Sequence, residues 1–195
     1  MWNSLFLNGI QIYKSDKILW NRFKYNKSKL KKLCRSQYKS NSRSRSIIFF
    51  FTKSDLSNGV KKILGNAKQG SFVLLWLGVN NLNSGSTFDY YKNLALQYKN
   101  LKFYAISVTG VVQSIVKSIS NDTIRKFNLN LKNNIHSSKI PNLKYKSILN
   151  NENPVEIAMD GKVVGTINSS TSRDGLHYST ILDKVIFQVM TNGLK

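Results

Sequence analysis

Two runs of consecutive apolar residues stand out, Ile47 to Phe51 and Phe72 to Leu77, each bounded by polar residues or glycine. Short β-branched and aromatic runs of this kind are what a strand buried on both faces looks like, and Gly78 ends the second one abruptly. Phe103 to Val108 reads as a third such strand and Leu143 to Leu149 as a fourth. Between the strands the apolar spacing switches to the helical period. Ser57 can cap a short helix with Val60, Ile63 and Leu64 on one face. Thr87 can cap one carrying Phe88, Tyr91, Leu94 and Tyr98, and Ser120 or Asn121 one carrying Ile124, Phe127 and Leu131. Val155 to Met159 and Lys162 to Ile167 flank Asp160-Gly161, the pair that favours a two-residue hairpin. Ser179 then precedes an amphipathic helix with Ile181, Leu182, Val185, Ile186, Val189 and Met190, stopped by Asn192-Gly193. Strand and helix in regular alternation predict an α/β fold, a parallel sheet covered by helices on both faces.

Charge changes the picture for the first quarter of the chain. Of 30 Lys and Arg against 9 Asp and Glu in 195 residues, twelve basic residues and only Asp16 fall before Ser46, so residues 1–46 carry +11 and the remaining 149 carry +10. Residues 22–46 have no sustained period of 2.0 or 3.6, and Ser-Asn-Ser-Arg-Ser-Arg-Ser closes them. Two parts are expected: a basic, poorly ordered or degenerate segment, 1–46, and an α/β domain, 47–195. Residues 14–45, with Trp20, Phe23, Tyr25 and Tyr38 among the cations, could bind nucleic acid or another polyanion non-specifically; a solvated tail in a chain rich in Lys and Asn throughout is the favoured reading, since charge alone reports solubility and non-specific association.

Composition excludes several classes. The one cysteine, Cys34, has no partner for an internal disulfide, and with His136 and His177 far apart no zinc-ligand spacing exists. No apolar run approaches the roughly 20 residues of a membrane-spanning helix, and the start lacks a signal-peptide pattern, so a cytoplasmic protein without metal or organic cofactor is expected. Trp76 reads as strand core and His136 as a surface helix residue.

In parallel sheets ligands sit beyond the carboxyl ends of the strands, which directs attention to the loops after Phe51, Leu77 and Val108. Gly78-Val79-Asn80-Asn81-Leu82 allows a close turn at Gly78 and presents the Asn80 amide as a donor to a developing oxyanion; it also fits an ordinary β-to-α turn. Asp174-Gly175-Leu176-His177-Tyr178-Ser179 places an acid three residues ahead of a histidine. The carboxylate can then fix the imidazole tautomer and stabilise its cation, as a general base for a serine requires; a turn leading into a helix with an incidental histidine is the other reading.

Together the two blocks resemble the SGNH or GDSL-type hydrolases, serine esterases and acylhydrolases with a flavodoxin-like three-layer αβα fold. Phe72 to Leu82 is similar to the family's strand plus Gly-x-Asn-Asp block, with Asn81 where the Asp usually stands, and Asp174 to Ser179 to its Asp-x-x-His block. Ser107 to Val111 and Ile124 to Asn128 also look like recurring family segments. The resemblance implies an ester hydrolase acting on a small ester or an acylated carbohydrate or lipid. His177 would be the base, Asp174 the orienting acid, and Asn80 an oxyanion donor. The family's Gly-Asp-Ser is missing from this sequence. Ser54 follows a strand and precedes a helix, as a nucleophile should, with Ser15 behind it. Ile47 to Phe51 could instead be the family's second strand, with the first strand then falling within residues 4–14; or the nucleophile block has been lost, leaving a catalytically impaired ligand-binding protein.

Overall fold

The structure, a computed structural model, describes residues 5–7, 10–12 and 47–50 as strand backbone, together with residues 64–65, 67–76, 79, 82–172 and 174–194. The strands are β1 (Leu5–Leu7), β2 (Ile10–Ile12), β3 (Ile47–Phe50), β4 (Phe72–Leu75), β5 (Lys102–Ile106), β6 (Leu143–Lys146), β7 (Leu149–Asn150), β8 (Asn153–Met159) and β9 (Lys162–Thr166). Among the described residues three full helices accompany them: α1 (Ser84–Gln97), α2 (Asn121–Ser138) and α3 (Thr180–Thr191).

Strands β1 to β6 form one sheet in chain order, with β1 antiparallel to β2 and the rest parallel. β1 and β2 lie within residues 4–14, where a strand preceding Ile47 was expected. The order differs from the 2-1-3-4-5 arrangement of a flavodoxin-like sheet. Here every parallel step goes the same way, and right-handed crossovers that step in one direction put their helices on one face. The core bears this out. Val73 and Leu75 of β4 and Phe103 and Ala105 of β5 pack with Leu64, Tyr91, Leu94, Ile124, Phe127 and Leu131, which brings α1 and α2 to the same side. The alternate residues, Phe72, Leu74, Tyr104 and Ile106, face Ile157, Leu182, Ile186, Val189 and Met190 from the β7–β8–β9 ribbon and α3. Period-two alternation with apolar residues required on both sides is why β4 and β5 read as unbroken hydrophobic runs. Trp76 packs partly buried against this second core, and His136 is exposed on α2.

Two boundaries move. α1 begins a turn before Thr87: the Asn83 side chain accepts from the Ser86 N–H, while Thr87 is buried and its own N–H already bonds the Asn83 carbonyl. The expected strand from Leu143 to Leu149 divides. Its ladder ends at Lys146, the Ile148 N–H turns to the Ser107 hydroxyl, and Leu149 joins the second, antiparallel sheet of β7, β8 and β9. Asp160 and Gly161 adopt φ of 52° and 77°, both left-handed, as a two-residue hairpin turn needs.

Candidate active site

Parallel register brings the carboxyl ends of β3, β4 and β5 side by side, with Phe50 opposite Leu75 and Leu75 opposite Ala105. The loop that leaves β5 is held at this edge by α2, which grips it with two asparagines seven residues apart on one helical face. Buried Asn128 accepts from the Val108 N–H and donates to the Val108 carbonyl, both at 2.8 Å. Two turns closer to its N-terminus, Asn121 does the same for Val111, at 2.8 and 3.0 Å. Between them the Gly110 N–H donates to the Pro154 carbonyl at 2.6 Å. A Cβ on Gly110 would stand 2.9 Å from that peptide, so only glycine lets β8 come so near. The Ser107 hydroxyl, fully buried, ties the loop to Ile148.

Against this loop lies the turn that leads into α3. The Val112 N–H donates to the Gly175 carbonyl at 3.0 Å; the Tyr178 hydroxyl meets the Thr109 hydroxyl at 2.6 Å and donates to the Gly110 carbonyl at 3.0 Å. Burial raises the Tyr178 phenol to about 12, with the nearby Asp183 adding and the Thr109 hydrogen bond opposing. It therefore stays protonated and able to donate at neutral pH. Gly175 has φ of 78°, and a Cβ there would lie 2.7 Å from Val116 Cγ2.

Asp174 organises the turn. One carboxylate oxygen accepts from the backbone N–H groups of Leu176 and His177, at 3.0 and 2.7 Å, and the other meets His177 Nδ1 at 2.5 Å. Partial burial works against the charged form, but the backbone N–H of His177, its imidazole and the Leu176 N–H outweigh it and hold the carboxyl well below the ordinary aspartate range. An ionised Asp174 can only accept, so Nδ1 carries the proton of the pair, and Nε2 is the ring nitrogen not engaged by the carboxylate. The two side chains are 49% and 53% exposed, which leaves the imidazole reachable by a substrate.

Of the residues singled out in the sequence, the structure brings Asp174 and His177 together; Gly78, Asn80, Ser54, Ser15 and the basic stretch 14–45 lie outside the described residues. Among the described residues no group of three or more His, Cys, Asp or Glu could hold a metal ion, and no helix is long and apolar enough to cross a membrane. Four residues that position the site escaped notice in the sequence as such: Asn121, Asn128, Gly175 and Tyr178. The one signal for the asparagines is Asn128 itself, a polar residue in line with Ile124, Leu131 and Ile135 on the buried stripe of α2.

No protein-family profile matches the chain, and no curated protein is significantly similar to it. A solved structure from Streptococcus pneumonia, described as a "putative platelet activating factor", superposes with a TM-score of 0.52 at 13% identity, covering 90% of this chain and 96% of that one. The likeness is one of fold, and it extends over nearly the whole chain.

Proposed function

We propose that this protein is a serine ester hydrolase of the SGNH/GDSL kind, acting on a small ester or an acylated carbohydrate or lipid. The observation that carries the reading is the Asp174–His177 pair, tied to the carboxyl edge of the sheet and with its Nε2 free of the carboxylate. In the reaction Nε2 takes the hydroxyl proton of a serine as its oxygen attacks the ester carbonyl. Asp174 stabilises the imidazolium that forms, and the Asn80 amide donates to the oxyanion. Collapse of the tetrahedral species breaks the ester C–O bond, and the leaving alcohol takes the proton from Nε2. Water, activated by the same nitrogen, then releases the acid and restores the serine. No metal or organic cofactor enters these steps. Ser54 is the preferred nucleophile, four residues beyond the end of β3, whose carboxyl end adjoins that of β4; Ser15 is the second candidate.

The test is a fluorophosphonate probe with mapping of the labelled peptide by mass spectrometry. One serine should be labelled, and His177→Ala should slow labelling at least about 10³-fold. The missing Gly-Asp-Ser favours a second reading, a non-catalytic member that binds an ester or carbohydrate. Folded protein that takes up no label would decide for it.

A further inference from the structure

Helices α1 and α2 run back from the carboxyl edge of the sheet to its amino edge, and three turns meet there. The Gly70 N–H donates to the Asn100 carbonyl at 2.7 Å, the Lys102 N–H to the Ser71 carbonyl at 2.9 Å, and the Phe103 N–H to the Asn142 carbonyl at 2.8 Å. These bonds hold the segments leading into β4, β5 and β6 side by side, in a row about 10 Å long at the usual strand spacing. Lys68, Lys99, Lys102 and Lys139 lie in this row, and residues 67–71, 98–102 and 139–142 contain no Asp or Glu to oppose them. Asp89 and Asp122 stand in the first halves of α1 and α2, toward the other edge. There the cations are paired, Arg125 and Lys126 with Asp122, and Lys132 with Glu152. At the amino edge, among the described residues, none of the four ammonium groups has an ion-pair or hydrogen-bond partner; Lys102 lies over the Phe72 ring, 5.6 Å from its centre. Lysines just past a helix commonly serve its last carbonyls. Here the Asn142 amide donates to the Ala95, Tyr98 and Leu101 carbonyls at the end of α1, and the Ser138 hydroxyl to the Ile135 carbonyl of α2. Lys139 moreover takes φ of 52°, left-handed backbone where glycine is the usual residue. Neither helix end explains why these positions are lysine.

We propose that this edge is a docking surface for nucleic acid, its lysines taking successive phosphates of one strand without reading the bases. Charge complementarity argues for a polyanion, and a single row of cations matches a strand of phosphates rather than the plane of a lipid headgroup surface. The residues are distinct from the basic stretch 14–45. The row lies at the opposite edge of the sheet from the Asp174–His177 turn, so the proposal stands or falls independently of the hydrolase reading.

The test is fluorescence anisotropy of a short labelled DNA duplex with the full chain across a range of salt concentrations. The triple variant Lys68→Gln, Lys99→Gln, Lys139→Gln should flatten the dependence of log K on log salt by about 2–3 in slope, and weaken binding at least about tenfold near physiological salt. A charge-matched control, Lys117→Gln, Lys162→Gln, Lys184→Gln, removes exposed lysines elsewhere and should lose clearly less. Lys139→Gly removes one charge and supplies the residue that left-handed backbone favours. It should weaken binding without lowering the urea midpoint, so that the loss is not one of folding. Equal losses in the two triple variants would assign binding to net charge, and loss in neither, or no binding by the wild type, would leave the edge without a role; each overturns the proposal. So would an amino-edge variant that keeps its hold on DNA but releases vesicles of phosphatidylserine and phosphatidylcholine that the wild type binds, since the partner would then be a lipid surface.

Discussion

Two segments lie against each other at the carboxyl edge of the sheet, and they are built in opposite ways. Every residue from Ser107 to Val112 is buried, and the peptides of Val108, Gly110 and Val111 are held by Asn128, Pro154 and Asn121. From Asp174 to His177 only Gly175 is buried, and the side chains that would react are half in water. A buried loop must satisfy its backbone inside the protein or lose stability for each group left bare, whereas an exposed turn can borrow from solvent. The stability of the edge therefore resides in the loop, and the side chains assigned to the proposed chemistry lie in the turn. Residues on the reactive side should be replaceable at little cost to folding, while those on the silent side should not.

The sharpest break of that division is Asn128→Ala. It strips partners from the buried N–H and carbonyl of Val108, and urea denaturation should show a loss of about 2–4 kcal/mol. A loss under about 1 kcal/mol would mean that the loop finds other partners and is not what anchors the edge. Gly175→Ala sits on the boundary between the two segments. The left-handed φ and the approach to Val116 should cost about 1–3 kcal/mol, and labelling by a fluorophosphonate should slow because the turn that aims His177 shifts. Unchanged stability would show that the turn relaxes without loss.

The smallest effect belongs to Asp174. Its carboxyl titrates lower in the folded protein than in the unfolded chain, so between those values the unfolded chain binds more protons. Its contribution is then complete above about pH 5 and fades as pH falls through about 3.9 toward the depressed folded value. With the side chain half exposed, solvent screening should hold this below about 1 kcal/mol. Urea midpoints at pH 7 and pH 3 should differ slightly less for Asp174→Asn than for the wild type. An equal pH response would show that the hydrogen bonds to this carboxylate do nothing for the fold.

Much of this architecture can be read from residue patterns, because it depends on neighbours in the chain. β4 and β5 announce themselves through two-sided burial, α2 and α3 through the serines that cap them, and the hairpin through Asp160-Gly161. What depends on distant partners is not legible in the same way. Lys146 and Ser147 look as strand-like as the residues before them, and only the Ser107 hydroxyl, forty-one positions from Ile148, ends the ladder there. The start of α1 is hidden because Asn80 to Ser86 offers several residues able to cap. Strand order follows from long-range pairing that no local period encodes. At the site, an acid and a histidine three apart on a turn are visible at once. Asn121 and Asn128 are less so, since asparagine is abundant throughout the chain and only the place of Asn128 on the apolar stripe of α2 sets it apart.

Strands that pair in chain order also imply a sequence of events in time. As the polypeptide leaves the ribosome, each new parallel strand finds its partner already made, so the sheet can grow from one side and α1 and α2 can dock as they appear. The opposite face must wait. Phe72, Leu74, Tyr104 and Ile106 stay uncovered until the ribbon and α3 emerge, and the turn bearing Asp174 and His177 emerges just ahead of α3. The same late segment therefore closes the core and completes the acid–base pair, so a nascent chain cannot acquire this pair before it is about to bury its greasy side.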